Sequence, residues 1–364
     1  MSRRAVLFAV AVALSPPALA DDWPRGSLRD AGLPADAAEQ IDTRVASGRL
    51  ENLHALIVVR HGRMVLERYY EGRDFQYGRD LGVVRFGPET LHDVRSISKS
   101  VTGLLYGIAL AEGKVPAPDA PLLDGFAEYA DLAADPERQH LKVEHALTMT
   151  LGLAWDERLP YTDPKNDEVA MERSPDRYRY VLSRPIVGPP GARWAYSGGA
   201  TTLLGRLIER GTGRSLLAYA HDRLFGPLDI RDVEWMTGGD GSPAAASGLR
   251  LRPRDLARIG QLVLQNGRWE GEQIVPTEWL AKSFEPRAQV NERMRYGYQW
   301  WLGRGWRGGL NVIAAFGNGG QRLFVVPKRD LVVVATAGNY NRHDLKHPGD
   351  VVMDALIMPA LLDE

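Results

Sequence analysis

The residues best suited to chemistry in this 364-residue chain are a serine and a lysine three positions apart, Ser96 and Lys99. A serine hydroxyl is a weak nucleophile until a base removes its proton, and a neutral lysine can act as that base. Apolar residues recur at helical spacing from Ser96 to Glu112, which predicts an amphipathic helix with this pair on its first turn. Residues three apart on a helix share a face, so the Lys99 amine should reach the Ser96 hydroxyl.

The start of this helix favours acyl transfer in two further ways. Its free N–H groups, including that of Ser96, could stabilise a developing oxyanion. The positive end of the helix, together with burial in a cleft, would favour the neutral form of Lys99. The spacing also fits a serine that only caps a core helix beside a solvated lysine, and these four residues alone leave both interpretations open.

Composition excludes several other classes of chemistry. The chain has no cysteine, which removes cysteine nucleophiles, thiolate metal sites and disulfides. Its formal net charge is −1, so no general positive field indicates a nucleic-acid partner. Eight histidines occur without an H-E-x-x-H motif, and the G-x-S-x-G nucleophile turn is absent. We therefore predict no nucleic-acid partner, no metal ion and no other cofactor.

The N-terminal residues have the layout of a secretory signal peptide. Arg3 and Arg4 precede an apolar run, Ala5 to Leu14, and the small-residue site Ala18-Leu-Ala20 follows. This pattern predicts cleavage near Ala20 and a periplasmic or secreted mature protein. No later run reaches the roughly 18 apolar residues of a spanning helix, so we predict no membrane span.

The elements that must position Ser96 form a predicted α/β (α+β) arrangement. Strand patterns occur near both ends of the chain, whereas helices and loops rich in proline and glycine fill the middle. Strands distant in sequence must then pair in one sheet. We predict a single domain over residues 21–364, in which a sheet lobe, about 21–115 and 255–364, carries an inserted all-helical lobe, about 116–254. A cleft between two such lobes is a favoured place for a site.

Three motifs carry a resemblance to a known family: Ser96-Ile-Ser-Lys99, Trp194-Ala-Tyr196-Ser-Gly-Gly, and Ala315-Phe-Gly317-Asn318. In this order they resemble the class C β-lactamase and penicillin-binding-protein-like serine hydrolases. Within that superfamily the chain looks most like the esterases and the 6-aminohexanoate-dimer hydrolases, over roughly residues 50–364. The resemblance implies a β-lactamase/transpeptidase-like fold, with an antiparallel sheet flanked by helices.

The resemblance also implies roles for the residues of the first two motifs. Ser96 would be the acylated nucleophile and Lys99 its proton acceptor. Tyr196 matches the tyrosine of the Y-x-N motif, whose phenol passes a proton to the leaving group and later helps to activate water. Among 13 tyrosines, a packed core aromatic is the alternative interpretation of Tyr196.

Further matches concern the oxyanion site and the substrate. Gly317 corresponds to the glycine of the family's K-T-G or H-x-G motif, and the backbone N–H of Asn318 would then join that of Ser96 as the second oxyanion donor. Tyr161, followed by Thr-Asp-Pro, matches a substrate-contacting loop tyrosine of the 6-aminohexanoate-dimer hydrolases. A plain hairpin at Gly317 and an exposed loop tyrosine at Tyr161 are the alternatives.

Two departures from the family pattern bear on the substrate. Gly198 stands where Y-x-N has an amide side chain, and Ala315 stands where lysine or histidine is usual. Charge-assisted contacts of that kind are usually worth about 1.5–3 kcal/mol each. We therefore expect inefficient β-lactam hydrolysis.

Together these features predict an exported serine hydrolase that forms an acyl-enzyme with small esters or linear amides. A D-amino-acid amidase or peptidoglycan carboxypeptidase is one alternative, although only Arg322 is a nearby candidate to hold a terminal carboxylate. A weak β-lactamase is another, and a non-catalytic binding module on the same fold is a third. The sequence does not determine the oligomeric state.

Overall fold

The computed structural model describes residues 23–305, 309–342 and 344–362. The predicted signal peptide, residues 1–20, lies outside these described residues. The strands, numbered along the chain, are β1 Leu53–Arg60, β2 Arg63–Tyr69, β3 Glu71–Gln76, β4 Arg79–Arg85, β5 His92–Asp93, β6 Glu234–Trp235, β7 Leu249–Leu251, β8 Arg268–Trp269, β9 Glu272–Gln273, β10 Ala288–Gln289, β11 Met294–Tyr296, β12 Trp301–Gly305, β13 Leu310–Gly317, β14 Gln321–Val326 and β15 Leu331–Ala337.

The helices range in length from single turns to 15 residues. They are α1 Ala37–Ala46, α2 Ile97–Ala111, α3 Ala130–Ala133, α4 Val143–Leu147, α5 Asp167–Glu172, α6 Arg177–Leu182, α7 Gly198–Thr212, α8 Leu216–Ala220, α9 Pro253–Leu264, α10 Thr277–Ser283, α11 Pro348–Val352 and α12 Met358–Ala360. Single helical turns lie at Leu122–Phe126, Arg138–His140, His221–Phe225, Pro327–Arg329 and Met353–Ile357.

One eight-stranded antiparallel sheet joins the two ends of the chain, as the sequence predicted. Its order is β10-β11-β12-β13-β14-β15-β1-β2, and β15 pairs with β1 across almost 270 residues of intervening sequence. Every residue of β1, β14 and β15 is buried. Strands covered on both faces read as continuous apolar runs rather than as alternating ones, which is why these three are so rich in valine and leucine.

The two faces of the sheet belong to two separate hydrophobic clusters. Ile57 and Val59 of β1 pack into the larger cluster, which includes α2 and α9. Leu56 and Val58, their neighbours on the opposite face, pack with α1 and the C-terminal helices. Successive side chains of a strand point to opposite faces, so residues 56–59 of β1 contribute to both hydrophobic clusters.

Helix α2, which carries the predicted nucleophile at its start, is buried on nearly every side rather than amphipathic as predicted. Its polar residues face neighbouring loops instead of solvent. Ser100 Oγ donates to Gln299 O at 2.7 Å, and Thr102 Oγ1 donates to Ala245 O at 3.0 Å. Buried polar groups are tolerated when they are hydrogen-bonded in this way, so α2 can lie between the sheet and α7.

Most regular elements of the segment 116–254 are helices joined by long loops, but the prediction of an all-helical lobe is wrong near its end. Strands β6 and β7 lie there, and β7 pairs with β5 in a small three-stranded sheet. The reason is the chain that leads into Ser96. It is buried at His92 and Asp93, and buried backbone groups need hydrogen-bonding partners, which β7 supplies. Among the described residues, no helix combines the length and apolar character needed to cross a membrane.

We predict that Gly107→Ala lowers the stability of the fold, although alanine normally favours helices over glycine. A Cβ at Gly107 would lie 2.0 Å from Cδ1 of Trp279, whose indole crosses α2 and donates to Gly103 O at 2.9 Å. Overpacking of a filled core costs about 1–3 kcal/mol. Urea denaturation should show this loss, and Trp279→Leu in the same background should remove most of the penalty that Gly107→Ala adds. A stabilised single variant would contradict the packing described here.

Candidate active site

A left-handed turn at Arg95 presents Ser96 to a cleft. Arg95 has φ of +50°, an uncommon value for a residue with a side chain, and its guanidinium lies 3.1 Å from Asp93 and 4.9 Å from the centre of the Tyr340 ring. Ser96 follows as the N-cap residue of α2 and is 8% exposed. Backbone strain held by its surroundings is common next to functional residues.

The cleft has a volume of about 880 Å³ and contains most of the predicted site residues. Ser96, Tyr161, Tyr196, Gly317 and Asn318 all line it. Lys99 is 1% exposed and lies behind the cleft wall, in contact with Ser96. The structure therefore brings all six predicted site residues to one place. Aromatic side chains form much of the remaining wall: Trp155, Trp194, Trp301 and Phe316.

The Lys99 amine has three hydrogen-bond acceptors around it. Its Nζ lies 3.1 Å from Ser96 Oγ, 3.2 Å from Glu168 Oε2 and 3.0 Å from Ala246 O. An ammonium group has three N–H donors and no acceptor, so this shell is complete for the charged form.

The charge environment agrees with that shell. Burial by itself lowers the pKa of Lys99, but the negative charge of the neighbouring carboxylates, that of Glu168 above all, outweighs burial and raises this pKa above its usual value. The direction of this shift favours the charged form of Lys99 in the free protein, whereas the helix start and burial by themselves favour the neutral form. A carboxylate that is distant in sequence supplies the opposing charge.

Tyr196 stands beside both Ser96 and Lys99. The Lys99 Nζ is 4.9 Å from the centre of the Tyr196 ring, which also packs against Trp301 at 5.6 Å. Burial raises the pKa of Tyr196, while the Lys99 charge and a hydrogen bond with Ser96 act in the opposite direction. Tyr196 is therefore a neutral phenol in the free protein, with an ammonium ion close enough to stabilise negative charge on it.

Two backbone N–H groups are available at the position expected for an oxyanion site. Among the described residues, neither the N–H of Ser96 nor that of Asn318 donates to a protein acceptor. The Asn318 side chain, in contrast, is fixed by Asn341, which it contacts through two hydrogen bonds of 3.0 and 2.8 Å.

Gly317 permits the close approach of β13 to the nucleophile turn. A Cβ at this residue would lie 2.4 Å from Val94 O, so the strand could not come as near with any larger residue. Ala315, two residues earlier, is 1% exposed and does not line the cleft. Its small side chain packs in the main core, so position 315 of β13 supplies neither a lysine nor a histidine to the cleft.

A buried carboxylate, Glu157, organises the loop that carries Tyr161. The Tyr161 hydroxyl donates to Glu157 Oε2 at 2.8 Å, while the indole N–H of Trp155 and the N–H of Gly198 donate to Oε1. Burial, followed by the neighbouring charge of Glu168, raises the pKa of Glu157 to about 7. The same loop is tied to the oxyanion side, because the N–H of Tyr161 donates to Asn341 at 3.0 Å.

Glu157 and Glu168 are the site residues that sequence analysis missed. Asn166 begins α5 as an N-cap residue, with its side chain accepting from the N–H of Glu168 and Val169, and such a cap could have indicated a helix start. Nothing in the spacing could have indicated the contact with Lys99, which is 69 residues away in sequence.

Three buried residues elsewhere could in principle hold a metal ion. The ligand-type atoms of His54, Asp74 and His92 lie within 4.8 Å of one another, although the three residues are far apart in sequence. The two imidazoles share a hydrogen bond of 2.9 Å, and burial, with the neighbouring His92, lowers the pKa of His54. None of the three lines the cleft, and they join β1, β3 and β5 behind the nucleophile turn.

The chain matches the β-lactamase family model over residues 40–354. It belongs to the β-lactamase family. It is 26% identical over 337 residues to the 6-aminohexanoate-dimer hydrolase of Paenarthrobacter ureafaciens, a match that covers 85% of this chain and 80% of that one. It is 29% identical over 220 residues to the esterase EstB of Burkholderia gladioli, which covers 58% of this chain and 54% of that one.

Solved structures show the same fold. The hydrolase EstCE1, described as having promiscuous acyltransferase activity, matches with a TM-score of 0.73 at 16% identity, over 92% of this chain and 100% of that one. A penicillin-binding-protein homologue from Caulobacter crescentus matches with a TM-score of 0.69 at 16% identity, over 90% and 97% of the two chains. The β-lactamase/transpeptidase-like fold predicted from the motifs is thereby confirmed. The family model and the named relatives confirm the hydrolase class.

We predict that Glu157→Gln makes stability less dependent on pH. A carboxyl whose pKa is raised by folding from 4.5 to about 7 stabilises the protein fully below about pH 4.5, and this contribution is lost as the pH rises through 7. The effect is on the order of 3 kcal/mol. A glutamine can keep the contacts, because its oxygen accepts from Trp155 and Gly198 while its amide donates to Tyr161.

Thermal unfolding of both proteins at pH 5 and pH 8 measures this difference. The wild type should lose more stability than the variant between the two values. An equal loss in both proteins would show that Glu157 does not titrate in this range.

Proposed function

We propose that this β-lactamase-family protein is an exported hydrolase that forms an acyl-enzyme on Ser96 and releases it to water, acting on small esters or linear amides. The observation that carries the proposal is the contact of Ser96 Oγ with Lys99, 3.1 Å away, at the base of a cleft that also holds Tyr196 and two available backbone N–H groups. The export part rests on the signal-peptide pattern of residues 1–20.

In the proposed reaction the substrate carbonyl oxygen lies between the N–H groups of Ser96 and Asn318, which stabilise the charge that develops on it. Ser96 Oγ attacks the carbonyl carbon while its proton passes to Tyr196 Oη, and the phenol proton passes to the leaving group. In this proposal Lys99 is an ammonium ion that stabilises negative charge on the relay. Acceptance of the Ser96 proton by a neutral Lys99, the role that the family resemblance implies, is the alternative. Water repeats the relay in the opposite direction to release the acid.

The wall of the cleft favours substrates with apolar groups. Trp194, Trp301 and Phe316 form one aromatic surface, in which Trp301 contacts the other two at ring distances of 5.4 and 5.6 Å. Esters are favoured over amides as first substrates, because an alkoxide leaves with less assistance from a proton donor. The relatives named as an esterase and as an amide-dimer hydrolase support the same two classes of substrate.

The contacts of Arg322 make this residue a poor anchor for the terminal carboxylate that the amidase and carboxypeptidase alternative requires. Arg322 lines the cleft, as that alternative requires, but both arms of its guanidinium bind Asp350, at 2.8 and 2.9 Å. Its charge is therefore already neutralised, and a substrate carboxylate would have to displace Asp350. For β-lactams, the missing polar groups at Gly198 and Ala315 support the expectation of poor turnover.

A fluorophosphonate probe tests the nucleophile directly. We expect one adduct per molecule in the intact mass of the mature protein, together with turnover of p-nitrophenyl butyrate, and we expect Ser96→Ala to lose both. An absence of adduct and of turnover in folded wild type would contradict the hydrolase proposal and favour a binding module. An adduct that persists in Ser96→Ala would assign the nucleophile to another residue.

Tyr196→Phe tests the proton relay. The variant keeps the ring that packs on Trp301 but lacks the hydroxyl, so kcat should fall about 10²–10⁴-fold with little change in KM. Stopped-flow measurement of the p-nitrophenol burst would separate acylation from release of the acid. A variant with an unchanged acylation rate would limit Tyr196 to packing.

A further inference from the structure

The Glu168 carboxylate fills the space beside Gly198, the first residue of α7. A Cβ at this position would lie 2.1 Å from Glu168 Oε2 and 2.7 Å from its Cδ. Contacts this short do not occur, so a side chain at position 198 and the present position of Glu168 exclude each other. Position 198, two residues after Tyr196, is therefore a glycine, and the Glu168 side chain from α5 occupies the space that a side chain at position 198 would fill.

The capped start of α5 holds Glu168 in that space. Glu168 lies in the first turn of α5, is 3% exposed, and its N–H donates to the Asn166 cap at 3.0 Å. Its Oε2 lies 3.2 Å from Lys99 Nζ. A short capped helix thus fixes a carboxylate against a buried ammonium group, and a buried charge of this kind is stable only with a well-placed partner.

Glu168 supplies the negative charge that is in direct contact with Lys99. The other two acceptors, Ser96 Oγ and Ala246 O, are neutral. In the described part of the chain, the titratable groups that face Lys99 are Glu168, Glu157 and Tyr196. Of the two carboxylates, only Glu168 hydrogen-bonds to the amine, because Glu157 is turned toward Trp155, Tyr161 and the N–H of Gly198.

Building on the hydrolase function proposed above, we propose that Glu168 is a positioning residue that keeps Lys99 charged and directed at Ser96 Oγ, in place of a polar side chain at position 198. Glu168 acts through Lys99 and does not line the cleft. Its loss should therefore lower kcat and leave KM nearly unchanged.

The first test is the pH profile of Glu168→Gln, with Glu172→Gln as the matched control. Glu172 lies one turn further along α5, and its carboxylate pairs with Arg177 at 2.9 Å instead of Lys99. In Glu168→Gln we expect kcat on p-nitrophenyl butyrate to fall at least tenfold, with the alkaline limb of kcat/KM moved at least one pH unit lower, because Lys99 then loses its proton more easily. Glu172→Gln should keep the wild-type limb.

The outcomes of this first test separate the inference from a merely structural role. A loss of activity without movement of the alkaline limb, or a similar movement in Glu172→Gln, would contradict it. A rise in activity near neutral pH would also contradict it, since a neutral lysine would then be the better catalyst.

The second test exchanges the two positions. Gly198→Asn alone should be nearly inactive, because its Cβ collides with Glu168. Glu168→Ala should be impaired for lack of a partner for Lys99. The double variant should be at least fivefold more active than either single variant, since the asparagine enters the vacated space and accepts from the ammonium. A double variant no more active than Glu168→Ala would overturn the exchange.

These tests remain distinct from the test of the hydrolase itself. Reaction of wild type with the fluorophosphonate at Ser96, together with wild-type behaviour of both Glu168 variants, would reject the role of Glu168 and leave the hydrolase proposal in place. An unreactive, folded wild type would reject both. If Glu168→Gln does not fold, the comparison of Glu168→Ala with the double variant still decides the inference.

Discussion

A buried ammonium ion needs three acceptors and a counter-charge, and the region around Ser96 is arranged to meet that need at Lys99. The acceptors come from three separate parts of the chain: the start of α2, the first turn of α5, and the loop that precedes β7. An unpaired charge in this position would cost several kcal/mol. Helices α2 and α5 and the loop before β7 therefore meet at Lys99 Nζ, beside the Ser96 hydroxyl that the proposed reaction uses.

The remaining contacts fix the geometry around that ion. Gly317 allows β13 to approach Val94 O, which brings the N–H of Asn318 toward the nucleophile turn. Asn341 then bonds both Asn318 and the N–H of Tyr161, so one side chain links the oxyanion side to the loop across the cleft. Held donors of this kind need no reorganisation when charge develops, which is the main source of electrostatic catalysis.

Local patterns were enough to predict strands near both ends of the chain, the helix that follows Ser96 and the motif residues. That helix, α2, spans nearly the predicted range, and the motif residues converge on one cleft. Spacing could not predict the features that depend on tertiary contacts. The partner of Lys99 is 69 residues away, the polar face of α2 bonds to loops rather than solvent, and β7 pairs with the chain leading into Ser96. Each of these three contacts forms because a segment distant in sequence supplies the hydrogen-bonding partner of a buried polar group.

A crystal structure of the mature protein after reaction with a phosphonate would test the proposed site most directly. We predict phosphorus bonded to Ser96 Oγ, with one phosphoryl oxygen about 2.7–3.1 Å from the backbone nitrogens of Ser96 and Asn318. We also predict that Lys99 remains paired with Glu168. A phosphoryl oxygen that points away from both N–H groups, or a Lys99 that has left Glu168, would contradict the proposed arrangement.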